Sequence, residues 1–290
     1  MSKSIALLFF AFAGIGIAQS ADPFPKSRGG CRYSVVQIRQ NFTDKTTETG
    51  TGFFVNEDGY LITAAHVIKT PPGKTREGIF ASLSVPVTKQ GGVTMSGTLT
   101  GSAVRVVAED DEHDIAILLP ARNPFKNPYS SGVVVNGKPL GTTTVRFSQL
   151  DTRTPRAGEQ VFTIGFPLFN RILITTSGRI ASADAYSSAD SPTHAIDDLY
   201  LADIHVNPGN SGGPALSPDR PGAIGIVVQY QSAPVHFSDG SPSNAYGVSP
   251  GPNNTMTARE LAANSGLAVI VPAKYIAELL TANKIKFSGF

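Results

Sequence analysis

The sequence has little cysteine, little charge and few long apolar runs, and each shortage excludes a class of protein. A single cysteine in 290 residues excludes a disulfide-framed scaffold and a cysteine-rich zinc site. Charged residues make up only 16% of the chain, which excludes a coiled coil and a disordered protein driven by charge. The 24 basic and 22 acidic residues nearly balance, so a net charge of +2 gives no electrostatic basis for binding nucleic acid.

The one long apolar run lies at the N-terminus and indicates a secretory signal peptide over residues 1–20. Lys3 supplies the positive charge, residues 5–18 are uncharged, and small residues stand at Ala18 and Ser20, which predicts cleavage after Ser20. The run is shorter than the roughly 20 residues that a bilayer span needs, although a retained membrane anchor is the alternative. Cys31 would then meet an oxidising compartment without an internal partner, as an unpaired thiol or in an intermolecular bridge.

The remainder of the chain predicts an all-β fold. Short runs rich in Val, Ile, Thr, Phe and Tyr are separated by Gly, Pro, Asn and Asp, a pattern typical of a barrel or sandwich. Strong helical periodicity is scarce, and the best helix covers residues 272–283. Two Pro/Gly-rich stretches, 123–141 and 231–266, are predicted loops, with helical character only at 257–264. The predicted strands are 33–39, 52–55, 60–63, 104–108, 115–119, 161–164, 172–176 and 223–230.

Two segments offer a histidine and an acid at the ends of predicted strands. Residues 51–68 form a predicted hairpin that ends at His66, which small residues flank, so that its ring can face a neighbour. Asp114 stands at the mouth of a strongly apolar strand, where a partly buried carboxylate needs a hydrogen-bonding or charged partner. Orienting an imidazole would supply that partner. His113 is a predicted rim residue, and solvent exposure is expected for Asp110, Asp111 and Glu112.

A third segment, residues 207–214, places Ser211 among closely spaced glycines. Such a backbone can turn too tightly for side chains, expose the serine hydroxyl and aim successive N–H groups at one point. An oxyanion hole requires that arrangement. A serine hydroxyl becomes a nucleophile when a histidine accepts its proton and a carboxylate orients that histidine. The three segments together therefore predict a catalytic triad of His66, Asp114 and Ser211.

The order His-Asp-Ser, with gaps of 48 and 97 residues, resembles that of the trypsin-like serine proteases, and the motifs are most similar to the HtrA/Deg branch. The resemblance covers about residues 35–280. It rests on TGFFVNEDGYLITAAHVI, HDIAILLP, GEQVFTIGFP, TTSGRIAS, LADIHVNPGNSGGPAL, IGIV and GLAVIVPAKYIAELL.

The resemblance implies two six-stranded antiparallel β-barrels and a C-terminal helix, in a protease domain over residues 33–285. Barrel 1 would cover about 33–140 and barrel 2 about 141–285, after an N-terminal extension at 21–32. It implies an endopeptidase that acts on polypeptides through an acyl-enzyme, with no cofactor or metal. The predicted signal peptide makes a secreted or periplasmic location the expectation, and the balanced charge predicts no nucleic-acid partner.

Site roles follow from the same resemblance. Ser211 is the expected nucleophile, His66 the general base and then acid, and Asp114 the orienting carboxylate. The backbone N–H groups of Gly209 and Ser211, with Asn210 as a further candidate, are expected to form the oxyanion hole. Val228, Gln229 and Tyr230 are expected to pair with substrate backbone. His205 is expected at the specificity pocket, where it raises the possibility of a preference for acidic side chains.

The sequence also departs from its relatives. Asn210 stands where digestive proteases have an Asp that pairs with a new N-terminal amine, so trypsin-style zymogen activation is not expected. Only ten residues follow Leu280, which leaves no room for the PDZ domain usual in HtrA proteins. Two alternatives stay open: a catalytically latent binding protein on a protease fold, and a serine esterase on the α/β-hydrolase fold, whose G-x-S-x-G elbow the serine segment also fits.

Overall fold

The computed structural model describes residues 31–88, 94–127, 134–135, 138–139, 145–169, 172–185, 198–234, 249–250, 256–257 and 262–290. Within them, the first half of the chain forms a closed antiparallel barrel with the strand order β1-β2-β3-β6-β5-β4. We call it barrel 1. Its strands are β1 (Val35–Phe42), β2 (Thr47–Phe54), β3 (Leu61–Ala64), β4 (Arg76–Thr88), β5 (Thr94–Asp110) and β6 (Ile115–Pro120).

The second half forms another closed antiparallel barrel, barrel 2, after a small hairpin of β7 (Val134–Val135) and β8 (Lys138–Pro139). The order of its strands is β10-β11-β16-β13-β12-β9. The predicted pair of six-stranded barrels is therefore confirmed. The remaining strands are β9 (Gln160–Gly165), β10 (Ile174–Ala185), β11 (Leu199–Asp203), β12 (Pro214–Leu216), β13 (Ala223–Pro234), β14 (Ser249–Pro250), β15 (Met256–Thr257) and β16 (Ala262–Pro272).

The barrels explain why the apolar runs were visible in sequence. β6 is buried along nearly its whole length, as expected for a short continuous apolar run in a covered strand. β1 shows the same near-continuous burial, interrupted at Arg39. One hydrophobic core contains buried side chains from both barrels, including Phe53, Ile117 and Ile226, and thereby joins them.

The predicted loop at 231–266 is partly wrong. β13 continues to Pro234 and β16 begins at Ala262, and the two pair antiparallel, so both ends of this stretch are strand. The helical character predicted at 257–264 is wrong at 257 and at 262–264, because these residues are extended. Polar and small residues there hid the strand pattern that barrel pairing imposes.

The predicted C-terminal helix is confirmed as α1 (Ala273–Ala282), which begins directly after β16. Ala273, Ile276 and Leu280 are buried on one face, as helical spacing requires. Because the fold consists of β-barrels, the α/β-hydrolase alternative is wrong. The predicted signal peptide and most of the N-terminal extension lie outside the described residues. No helix in the described ranges is long and apolar enough to cross a membrane.

Candidate active site

An open cleft of about 740 Å³ contains the three residues of the predicted triad, with walls from both barrels. Barrel 1 and the turns at its rim supply His66 and Asp114, and barrel 2 and its loops supply Ser211. Residues from three distant parts of the sequence therefore meet at one surface. The other lining residues are Lys69, Asp111, Val206, Asn207, Pro208, Asn210, Val227, Val228, Gln229 and Tyr230.

His66 and Asp114 form a tight pair. His66 lies in a 3-10 turn, Ala65–Ile68, that follows β3, and its Nδ1 is 2.6 Å from Asp114 Oδ2. The other carboxylate oxygen, Oδ1, accepts the His66 backbone N–H at 2.7 Å. The Asp114 side chain is only 6% exposed, whereas that of His66 is 47% exposed. The carboxylate is therefore fixed from two directions, and the imidazole edge beyond Nδ1 is open to the cleft.

The serine loop owes its shape to two glycines with positive φ. Gly209 has φ 100° and Gly212 has φ 88°, a region that side chains disfavour. A Cβ atom at Gly209 would lie 2.4 Å from the Phe166 carbonyl oxygen, and one at Gly212 would lie 1.9 Å from the Thr51 carbonyl oxygen. Only glycine fits at either position, so the sequence signal around Ser211 has a direct steric cause.

Thr51, a residue that the sequence analysis did not single out, ties this loop to barrel 1. Its backbone N–H donates to the Ser211 carbonyl at 2.8 Å. Its hydroxyl donates to the Gly209 carbonyl at 2.6 Å and accepts the Phe166 N–H at 3.1 Å. The side chain is fully buried. A buried threonine of β2 therefore fixes the position of the serine segment relative to His66.

The Ser211 hydroxyl donates to the Val228 carbonyl at 3.1 Å. Val228 is the extra residue where the β13–β16 register shifts between Val227 and Gln229, and such a bulge can aim a backbone group out of the ladder. Among the residues that the structure describes, no hydrogen bond joins Ser211 to His66. The hydroxyl therefore occupies a rotamer directed to the barrel 2 wall of the cleft.

The backbone N–H groups of Gly209 and Ser211 are the predicted oxyanion donors. Neither has a hydrogen-bond acceptor within the described part of the chain. The Asn210 N–H, also a predicted donor, is not available here because it donates to the Asn207 carbonyl at 3.0 Å. The Asn210 side chain is buried, and its Nδ2 has no partner among the described atoms.

Of the predicted substrate-binding residues, Val228, Gln229 and Tyr230 all line the cleft. His205 does not. Its side chain is exposed, and the nearest atom to a Cβ built on Gly266 is its Cε1, at 3.9 Å. The structure therefore places His205 beside Gly266, near the middle of β16, and outside the set of residues that line the cleft.

An ion pair at the rim of the cleft was also missed. Lys69 Nζ lies 2.9 Å from Asp111 Oδ1, with the two side chains 50% and 64% exposed. The hydrogen bond to Asp111 raises the pKa of Lys69, and the nearby carboxylates of Asp114 and Glu109 act in the same direction. Asp111 was expected to be merely solvated. Its pairing depends on a residue 42 positions away in sequence, and no local pattern announces it.

Across the described ranges, no group of three or more His, Cys, Asp or Glu side chains is placed to bind a metal ion.

Comparison with solved structures agrees with the fold. The Rv3671c protease from M. tuberculosis, in its active form, superposes with a TM-score of 0.55 at 18% identity, over 90% of this chain and 85% of that one. The HtrA-type protease AlgW, solved with a tripeptide, gives a TM-score of 0.52 at 18% identity, over 88% of this chain and 62% of that one.

Two curated protease sequences are also similar to this chain. A probable periplasmic serine endoprotease, DegP-like, from Halomonas elongata is 26% identical over 76% of this chain and 38% of its own length. Protease Do-like 1, chloroplastic, from Arabidopsis thaliana is 26% identical over 74% of this chain and 47% of its own length. The chain thus spans less than half the length of these two relatives. The predicted similarity to the HtrA/Deg branch is confirmed by them.

The family follows from the family model that matches residues 50–226, a range that begins within β2 and extends into β13. This range contains His66, Asp114 and Ser211 and exceeds half of the chain. The predicted enzyme class, a serine peptidase of trypsin-like type, is the class of that family. The chain belongs to the trypsin-like peptidase domain family.

Proposed function

We propose that this chain is a serine endopeptidase that cleaves polypeptides through an acyl-enzyme on Ser211. The observation that carries the proposal is the cleft itself, which is lined by a carboxylate-bound histidine from barrel 1 and a glycine-framed serine from barrel 2. Membership of the trypsin-like family supports it.

In the proposed reaction, His66 accepts the proton of the Ser211 hydroxyl as the oxygen attacks the peptide carbonyl. Asp114 holds Nδ1–H toward itself, so the other ring nitrogen is the acceptor, and its charge stabilises the imidazolium that forms. His66 then returns the proton to the leaving amine, and water hydrolyses the ester by the same steps. The N–H groups of Gly209 and Ser211 stabilise the oxyanion, and each such donor is worth about 10²–10³ in rate.

In this scheme, substrate binding frees the Ser211 hydroxyl from its hydrogen bond to Val228. The Ser211 hydroxyl starts on the Val228 carbonyl, and it has to turn about its Cα–Cβ bond to reach His66. If the substrate chain pairs with residues 228–230 as an added strand, its N–H groups compete for that carbonyl. The bound peptide would then release the hydroxyl for the reaction.

The cleft wall favours an uncharged side chain next to the cleaved bond. Val206, Val227 and Tyr230 supply apolar surface there, and His205, the basis for an acidic preference, lies elsewhere. We expect a peptide library to show aliphatic residues before the cleaved bond. Enrichment of acidic residues that disappears in His205→Gln would reinstate the acidic preference.

We also propose that the chain acts outside the cytoplasm, in the periplasm or after secretion. The predicted signal peptide at residues 1–20 supports this, together with the periplasmic DegP-like relative. Expression of the full chain in a bacterial host, followed by N-terminal sequencing of the periplasmic fraction, tests it. Ala21 as the first residue is the expected result, and retention of Met1 in the cytoplasm would contradict it.

The test of activity compares wild type with Ser211→Ala on casein and on a peptide library. Ser288→Ala is the matched control, because Ser288 is exposed and lies outside the cleft. We expect cleavage by wild type and the control and none by Ser211→Ala. Hydrolysis of simple esters without peptide cleavage would indicate an esterase instead.

A catalytically latent binding protein is the second candidate, favoured by the hydrogen bond that holds Ser211 on Val228. This candidate predicts that folded protein binds extended peptides but cleaves none of them. Peptide affinity that is equal in wild type and Ser211→Ala, with no product from either, would establish it over the proposed peptidase.

A further inference from the structure

The backbone at Asp114 is strained. Its φ is 53°, in the left-handed region that favours glycine and that strains other residues. Such a residue persists only where its surroundings fix it. The Asp114 carbonyl accepts the Ala65 N–H at 3.0 Å, which holds one side of the turn against the histidine segment. The other side of the turn needs a comparable support.

Asp110 closes that side of the turn. Its Oδ1 accepts the backbone N–H groups of Glu112 and His113, both at 3.1 Å. Its Oδ2 lies 2.7 Å from His113 Nδ1. The carboxylate therefore fixes both the backbone and the ring of the residue directly before Asp114.

The His113 ring is covered by Tyr275 of α1. The two rings stack with centroids 3.7 Å apart and planes 23° apart, and the His113 side chain is only 17% exposed. The predicted rim position of His113 is thus wrong, because a helix from the far end of the chain covers it. The Tyr275 hydroxyl donates to Asp198 Oδ1 at 2.6 Å, and Lys274 forms an ion pair with the same carboxylate.

These contacts form one continuous path from the end of the chain to the site. Asp198 lies directly before β11 in barrel 2, Tyr275 belongs to α1, and His113 belongs to the barrel 1 turn. A displacement of the Tyr275 ring would leave His113, and with it the strained turn, supported on that side by Asp110 alone. The carboxylate of Asp114 would then lose its fixed orientation toward His66.

We propose that Tyr275 and His113 form a positioning clamp that holds Asp114 in line with His66. The proposal rests on the proposed function, since the clamp acts through the orienting role of Asp114. Neither residue touches the reacting atoms. Their stack keeps the turn in its strained conformation, and α1 and Asp198 keep Tyr275 in place.

The test compares Tyr275→Leu, which removes the ring and the hydroxyl, with Tyr275→Phe, which keeps the ring. We expect Tyr275→Leu to lower kcat by about 10–100-fold while KM changes by less than about threefold, because misplacement of a catalytic group affects the chemical step rather than binding. Tyr275→Phe should lose no more than about threefold in kcat, since its ring still covers His113.

A second readout does not depend on activity. The proton that His66 Nδ1 shares with Asp114 gives a low-field NMR signal when the pair is ordered. We expect the signal in wild type and Tyr275→Phe and its loss or broadening in Tyr275→Leu. If wild type cleaves no peptide, the proposed function fails, but this signal still decides whether the clamp orders the pair.

The control is Leu279→Ala, a half-buried residue of the same helix. It destabilises α1 without removing the ring that covers His113. An unchanged kcat and an unchanged NMR signal in folded Tyr275→Leu would overturn the proposal. So would equal losses in Leu279→Ala and Tyr275→Leu at equal thermal stability, because the effect would then be that of the helix alone.

Discussion

Barrel 1 contains two histidine–aspartate pairs whose Nδ1–Oδ2 distances are almost equal and whose surroundings differ. His66 and Asp114 lie 2.6 Å apart, and His113 and Asp110 lie 2.7 Å apart. In the first pair the histidine is 47% exposed and the acid 6%, whereas in the second they are 17% and 23% exposed. The first histidine opens on a cleft that contains a serine, and the second lies under Tyr275. Access of the ring to a nucleophile, not the pair itself, distinguishes a candidate site from a structural contact.

The largest expected difference between the two pairs comes from neutralising each acid. Asp114→Asn should lower kcat by about 10⁴, because an amide favours the wrong tautomer of His66. Asp110→Asn should lower it by less than about tenfold, since the amide oxygen can still accept the two backbone N–H groups. Steady-state cleavage of one peptide substrate measures both. Similar losses of kcat in the two variants would contradict the distinction between a catalytic and a structural histidine–aspartate pair.

The next difference concerns chemical access to the rings. We expect diethyl pyrocarbonate to modify His66 several-fold faster than His113, because the second ring is stacked and mostly buried. Peptide mass spectrometry of partly modified protein measures each site, with exposed His205 as the internal reference. Modification of His113 at the rate of His205 would show that Tyr275 does not cover it.

A smaller effect is expected from removing Lys69, the partner of Asp111, which follows Asp110 in sequence and lines the cleft. Lys69→Gln leaves the Asp111 carboxylate without its ion-pair partner in the cleft that also contains His66. We expect kcat/KM for peptides with a nearby basic residue to rise by about threefold relative to neutral ones, a size usual for exposed charges. Lys45→Gln is the control, since its ion pair with Glu77 lies outside the cleft. An equal change in both variants would contradict a role for the rim charge.

The smallest expected effect is the change in thermal stability at alkaline pH caused by Tyr275, which covers the His113–Asp110 pair. Burial, with the hydrogen bond to Asp198, raises the pKa of Tyr275 to about 12. A group whose pKa is higher in the folded state contributes its full stability below the unfolded value, near 10, and loses it as pH rises through 12. Between pH 10 and 12, the wild-type Tm should fall about 2–4 °C further than that of Tyr275→Phe. Parallel Tm curves would contradict it.

The sequence was sufficient for the features that depend on local pattern. Apolar runs and helical spacing predicted the all-β fold and α1, and glycine spacing with the chemistry of the residues predicted the convergence of His66, Asp114 and Ser211. The pair of barrels was implied by the resemblance to the trypsin-like proteases. The features that were missed depend on contacts between distant residues. Thr51 reaches Gly209, Lys69 reaches Asp111, and Tyr275 covers His113. Each of these residues is ordinary in its own segment, so only the closed fold gives it a role.

The central claim is that the His66–Asp114 pair activates Ser211, and a fluorophosphonate probe tests it most directly. The account predicts one label per molecule, located on Ser211 by mass spectrometry, with loss of peptide cleavage in proportion to labelling. Labelling should be absent in Ser211→Ala and strongly slowed in His66→Ala, while Asp110→Asn should label at a rate near that of wild type. Folded wild-type protein that takes up no label, or that is labelled as fast after loss of His66, would contradict the account.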